Sequence, residues 1–277
     1  MTGGETLGRV PPASLAGARV TLHWAAQIIS AAGATWVEPR ADFSHTALSW
    51  IASIRAMASE VLSRGTRALL IVDDLSLAVS GADGAPAGDR FSLADRTLSE
   101  GLAWLASAVA RHEGVQVRAL ERPRHELPMR SEEDPFELDG DAFGELAGWY
   151  GTAAQLFARI AERPGASPVR LWPHHFDIAT LITIDRGKTS EEARSVGVGL
   201  SPGDGSYDEP YWYVTPWPYP PKDTPEPVLP AGHWHTQGWC GAVLTASELL
   251  ASDANAPAAC AQTFLDVAIE KATLLLA

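Results

Sequence analysis

The chain has little lysine, cysteine or methionine: three lysines, two cysteines (Cys240 and Cys260) and three methionines among 277 residues. The two cysteines form no close metal-ligand pair and no disulfide framework. That excludes the small disulfide-stapled folds and makes a reducing cytoplasm the expectation. Positive charge is also short, with 21 Lys and Arg against 34 Asp and Glu, a net charge of -13 and a pI near 5.0. A surface of that sign repels phosphate backbones and anionic headgroups, so nucleic acid and membranes are not expected partners. No apolar run approaches the roughly 20 residues of a membrane span. The first residues, Met-Thr-Gly-Gly-Glu-Thr, lack the basic region and apolar core of a signal peptide. Common catalytic signatures are missing as well. There is no phosphate loop, no Gly-x-Ser-x-Gly elbow and no His-Glu-x-x-His helix. Gly197-Val-Gly199 lacks the third glycine and following helix of a dinucleotide fingerprint. Scarce lysine beside abundant alanine suggests a GC-rich bacterial genome.

What is present supports a sizeable core: 46% of the residues are hydrophobic, enough for one large domain or two fused halves. Residues 1–18 read as a loose arm. A helix should begin near Val20, with Leu22, Ala25 or Ala26, and Ile29 on its apolar face. His23 and Gln27 share another face, and Gly33 is the expected stop. Ala47–Ile51 predicts a strand, but Ile54, Met57 and Val61 continue at helical spacing, so both readings stay open. Ala68–Val72 reads as a buried strand and Leu75–Val79 as a half-buried one, with Gly81–Asp89 a loop. Thr97-Leu-Ser-Glu100 is a capping box opening a helix with the stripe Leu98, Leu102, Leu105 and Val109, and Gly114 ends it. Val115–Leu120 reads as a strand. Residues 121–142 are an acidic, Pro-rich connector. A helix over 143–162 should bury Phe143, Leu146, Tyr150, Ala153, Phe157 and Ile160. Extended segments follow at Val169–Ile184, Val196–Leu200, Tyr211–Thr215 and Trp239–Thr245. Seven prolines make 216–230 a rigid loop, and a helix from Pro257 to Leu275 closes the chain.

This order predicts an α+β fold of two similar halves, residues 19–120 and 143–277, each a small, mostly antiparallel sheet covered by helices. Helix 20–32 would match 143–162, and helix 97–113 would match 257–275, as in an internal duplication. An α+β domain with two similar layers fits the order equally well.

Several residue blocks resemble the bacterial family called domain of unknown function 5996. They are Thr21-Leu-His23-Trp-Ala-Ala-Gln27-Ile28, Pro135-Phe-Glu-Leu-Asp139, Ser167-Pro-Val169 with Phe176-Asp-Ile-Ala179, and Glu209-Pro210 before the aromatic Tyr211–Tyr213. Block order and spacing cover roughly residues 20–275. The resemblance implies a soluble α+β protein and brings no established activity. Relatives often carry small residues where this chain has His174-His175, so a site on those two histidines would be particular to this protein.

The chemistry centres on residues 167–235, which hold four of the eight histidines. Strand alternation puts His175 with Asp177, and His233 with His235. Those four are acceptable ligands for a divalent metal such as zinc, and the competing reading places them at a strand cap and in a proline-rich loop. A metal-free acid–base pocket would draw on His23, His45, His175, Asp177 and Glu209 if the halves face each other. Against it, His23 would bond within the core, Glu209 would cap a turn, and Asp177 would accept backbone amides. Trp172, Tyr211, Tyr213 and Trp234, with Gln27, are candidates for binding a small molecule, although aromatics at strand spacing are more often core. Two function classes follow. One is a small-molecule enzyme of hydrolase or isomerase type, metal-assisted or not. The other is a non-catalytic binding protein with an aromatic-lined pocket.

Overall fold

The computed structural model describes residues 6–81, 85–187, 192–252 and 256–277. It is an α+β protein with antiparallel sheet and five α-helices among these residues. The chain divides into two compact units. One comprises residues 15–147 and 170–176, and the other 1–14, 148–169 and 177–277. We call them the N-terminal and C-terminal units. The boundary falls inside a helix, not in the acidic connector, and the short segment 170–176 returns to the N-terminal unit.

In the N-terminal unit, α1 spans Ala16–Trp36 and starts earlier than the apolar spacing suggests. A 3-10 turn at Pro12–Leu15 leads into it, and both Leu7 and Leu15 are buried, so the described part of the arm is not loose. Every residue from Leu22 to Gly33 is buried, so α1 has no solvent face along that stretch. Gly33 lies within the helix and does not end it. A Cβ there would come to 2.3 Å from the His45 carbonyl oxygen, which explains the glycine by close approach of the 44–46 loop. The sheet is formed by β1 (Leu48–Ile51), β2 (Ala56–Ser59), β3 (Arg67–Ile71), β4 (Ser76–Ser80), β5 (Pro86–Ser92) and β6 (Arg170–Trp172). Its order is β6-β1-β2-β3-β4-β5, every neighbour antiparallel. A 3-10 turn after β1 and Arg55 at φ 47 end the helical continuation that Ile54 and Met57 suggest. β4 is buried on both faces, not one. Part of the expected 81–89 loop belongs to β5, and residues 82–84 lie outside the described residues.

The second helix, α2 (Leu98–Glu113), forms as its capping box predicts, with Thr97 as N-cap and Gly114 left-handed at its end. It packs on α1 and β4. Val115–Leu120 is not a strand. Val117 is 62% exposed and the segment has no ladder partner among the described residues, so β propensity alone does not order it. The connector is not wholly solvated either. Phe136 is buried, pairs with Ala94 and carries the Arg130 guanidinium over its ring.

The third helix, α3 (Gly140–Ile160), carries the chain from one unit to the other, and all six of its expected core residues are buried. The C-terminal unit has β7 (Asp177–Asp185), β8 (Arg194–Ser201), β9 (Tyr211–Trp217), β10 (His233–His235) and β11 (Gly241–Thr245), then α4 (Ala246–Ser252) and α5 (Pro257–Leu274). The order is β10-β11-β9-β8-β7, again antiparallel. α5 covers β8, β9 and β11, and Phe157 of α3 meets Trp212 edge-on at 5.7 Å. The N-terminal sheet is a sequential meander from β1 to β5, whereas β10 here lies outside β11. The two topologies part at that strand, and the expected duplication does not follow from them. No helix among the described residues is long and apolar enough to cross a membrane.

Gly33 supplies a test with a reversed sign. Glycine to alanine in an open helix stabilises by up to about 1 kcal/mol. Gly33→Ala is expected to destabilise by roughly 1–3 kcal/mol through overpacking. Urea unfolding checks it, and a more stable variant would refute the close-approach argument.

Candidate functional site

Alternation along β9 puts Tyr211 and Tyr213 on one face of the C-terminal sheet and Trp212 on the other, against the helices. The same face carries Gly199 of β8, Val243 of β11 and His233 of β10, aligned through their registers. A Cβ on Gly199 would come to 2.3 Å from the Tyr213 ring, so glycine is what lets that ring lie across β8. The Tyr213 hydroxyl thereby donates to the Asp177 carboxylate on β7. Asp177 is buried, and its carboxylate accepts this phenol. Burial, and then the Asp177 charge, hold the Tyr213 phenol well above its ordinary pKa, so it stays a donor.

The loop after β8 is shaped by Asp204. One carboxylate oxygen accepts the amide hydrogens of Ser206 (2.7 Å) and Tyr207 (3.3 Å), an Asx-type turn. The other accepts the Tyr211 hydroxyl at 2.6 Å. This turn delivers Tyr207 to β10. Its hydroxyl lies 2.9 Å from His233 Nε2 and 2.9 Å from His235 Nδ1. His233 Nδ1 faces Glu248 Oε1 at 3.1 Å, and His235 Nε2 donates to the Gln237 carbonyl at 2.7 Å. The His235 ring also stacks on Trp239, with centroids 4.3 Å apart. Glu248 is fixed because its other oxygen accepts the Thr245 amide in a capping box opening α4. Desolvation, with the charges of Glu248 and Asp204, raises the Tyr207 phenol. The result is a hydrogen-bonded chain of carboxylate, imidazole, phenol and imidazole at the end of the sheet.

The expected site residues divide between the units. His233 and His235 come together through Tyr207, and Tyr211, Tyr213 and Asp177 stand in the same face of the same unit. Trp234 points the opposite way along β10, and its indole donates to the Pro227 carbonyl at 2.7 Å. It lines a cavity of about 510 Å³ with Tyr219, Pro225, Trp239 and Cys240. Desolvation, then the Glu226 charge, raises the Cys240 thiol, so it is a poor nucleophile. Glu209 ties its loop to α4, accepting the Ser247 amide and hydroxyl at 2.8 and 2.6 Å.

In the N-terminal unit, His23 Nε2 donates to the Pro173 carbonyl at 2.8 Å, and the Gln27 amide donates to the same oxygen at 2.8 Å. The His23 ring stacks on Phe176 at 4.8 Å, and burial drops its pKa to about 4. It is a neutral core histidine, not a proton shuttle near neutral pH. His45 Nδ1 accepts the Arg40 amide at 3.1 Å and closes the 40–45 loop. His175 contacts His174 at 4.4 Å, and His174 in turn meets Trp172 at 5.8 Å and His125 at 6.2 Å. Packed among those rings, the His174 imidazole falls to about 4 by desolvation, then by the charges of His175 and His125, although the residue is exposed at its edge. Among the described residues no group of three or more His, Cys, Asp or Glu could hold a metal ion. The grouping of His175, Asp177, His233 and His235 around zinc is therefore not assembled. Its β10 pair is bridged by a phenol instead.

Tyr207, Glu248, Asp204 and Gln237 are the residues that sequence reasoning missed. Glu248 had a signal, since Thr245-Ala-Ser-Glu248 is a second capping box. Tyr207 had none, because its place is set by a turn and not by periodicity.

Two outcomes follow. His23 has a folded pKa below its unfolded one, so its stabilising contribution is full above about pH 6.5 and is lost as pH falls toward 4. Between pH 7.5 and pH 5 it should remove roughly 2 kcal/mol of stability, and His23→Gln should shrink that difference in urea unfolding. Asp177→Asn should lower stability by roughly 1–3 kcal/mol through its buried bond, and thermal melts that match wild type would contradict this. In comparison with known proteins, no protein-family model, no curated protein and no solved structure matches this chain.

Proposed function

We propose that the protein is an enzyme acting on a small molecule by acid–base chemistry, of isomerase or hydrolase type, at Tyr207, His233, His235 and Glu248. The observation that carries this reading is the unbroken hydrogen-bonded chain from the Glu248 carboxylate to the Gln237 carbonyl, every contact at 2.7–3.1 Å. A carboxylate orienting one imidazole and a phenol joining it to a second is a set of groups suited to taking and returning protons. The His233 side chain is 43% exposed, so a substrate can reach it. Cysteine usage and charge support a cytoplasmic location, and the residue blocks quoted above support kinship with the domain of unknown function 5996 family.

A second reading rests on the cavity of about 510 Å³ beside Trp234 and Trp239. Its proline and aromatic walls suit a flat small molecule, as a non-catalytic binding protein would require. The two readings separate by experiment. Turnover on panels of ester, amide and enolisable carbonyl substrates, measured for wild type and Tyr207→Phe, should fall roughly 100-fold or more in the variant. Equal turnover in both would sink the acid–base reading.

A further inference from the structure

The four nitrogens of His233 and His235 each have a partner, which allows their hydrogens to be counted. In order along the chain they face the Glu248 carboxylate, the Tyr207 hydroxyl from both sides, and the Gln237 carbonyl. A carboxylate and a carbonyl only accept, so His233 Nδ1 and His235 Nε2 must both carry hydrogen. Each neutral ring then has a bare inner nitrogen, and both bare nitrogens face the same phenol. One hydroxyl hydrogen can serve only one of them. The four contacts need four hydrogens, and two neutral imidazoles and a phenol supply three.

We propose that this chain is a proton wire that binds one proton beyond the neutral side chains and passes it between His233 and His235 through Tyr207. Two arrangements fill every contact. In the first, His233 is the imidazolium. Its Nδ1–H donates to Glu248, its Nε2–H donates to Tyr207 Oη, and the Tyr207 hydroxyl donates to His235 Nδ1. In the second, the His233 Nε2 hydrogen has moved onto Tyr207 Oη and the phenol hydrogen has moved onto His235 Nδ1. His235 is then the imidazolium and donates to Tyr207, whose hydroxyl now donates to His233 Nε2. Two hydrogens shift, no contact is left empty, and one positive charge changes rings.

Both resting places for the charge are provided for. In the first it lies against Glu248 of α4, at 3.1 Å. In the second it lies on the ring stacked at 4.3 Å on Trp239, a cation–π position. The other groups facing the chain are Asp204 from the preceding loop, whose charge acts on Tyr207, and the Tyr211 ring of β9, 4.8 Å from the Tyr207 ring. Because burial and these charges keep the phenol protonated, Tyr207 passes hydrogens without becoming a phenolate. Taken with the acid–base reading, on which its catalytic role rests, the wire suits a substrate that loses a proton at one atom and regains one at another, an enolisable carbonyl compound.

The test needs no substrate. In protein with ¹⁵N-labelled histidine rings, the His233 and His235 signals should move together with one midpoint as pH is lowered, the pair taking up a single proton in that step. His233 Nδ1 and His235 Nε2 should be protonated on both sides of the step. In Tyr207→Phe, with folding confirmed by its melt, the common midpoint should split into two. Two independent midpoints in the wild type would overturn the wire, and so would an unchanged common midpoint in Tyr207→Phe. If that variant does not fold, the wild-type spectra alone decide. Because substrate is absent, the wire can fail while Tyr207-dependent turnover stands, and turnover can fail while the wire stands.

Discussion

Buried polar groups must be hydrogen-bonded, and that constraint sets where this chain's polar side chains go. In α1 the whole circumference is buried, so His23, Gln27 and Ser30 cannot turn to water. The Pro173 carbonyl takes hydrogens from both His23 and Gln27, and the Thr46 carbonyl takes that of Ser30. A backbone carbonyl oxygen has two lone pairs, so this one can serve two donors. In the C-terminal sheet the same constraint puts the Tyr213 hydroxyl on Asp177 and the Tyr211 hydroxyl on Asp204. Each of these bonds joins residues of one unit and fixes the segment that carries it.

Legibility in the sequence follows the range of the forces involved. α2 was readable because capping and the apolar stripe are local, with Thr97, Glu100 and Gly114 all within or beside the helix they delimit. The buried side of α3 was readable for the same reason. Gly33 was misread because its cause is the His45 backbone, which helix spacing does not register. Val115–Leu120 was misread because a strand needs a neighbour, and propensity cannot say that none is there among the described residues. The alternation of β10 correctly paired His233 with His235. It could not say that a tyrosine from the loop after β8 would fill the space between them.

The histidines show how environment separates chemistry from structure. His23 and His174 are held near 4 by desolvation and by neighbouring positive charge, so they are neutral rings over most of the working pH range. Such rings serve packing and fixed hydrogen bonds. The β10 histidines sit differently, with His233 beside the Glu248 carboxylate and both rings on the Tyr207 hydroxyl.

A simpler account of His233 and His235 is that they guard a sheet edge. β10 is the last strand of its sheet, and short, polar edge strands resist pairing with another chain. Edge protection asks only for a short strand or a charge. It does not require that all four ring nitrogens be partnered, that a carboxylate be held in place by its own helix cap, or that an aspartate shape the loop bringing Tyr207 between the rings. Side chains held only for solubility would be free to rotate, whereas these are fixed by partners that are themselves fixed. Ordering two imidazoles, a phenol and a carboxylate costs side-chain entropy. Net hydrogen-bond energies of roughly 1 kcal/mol each offset that cost only if the contacts are complete, and here completeness depends on the additional proton.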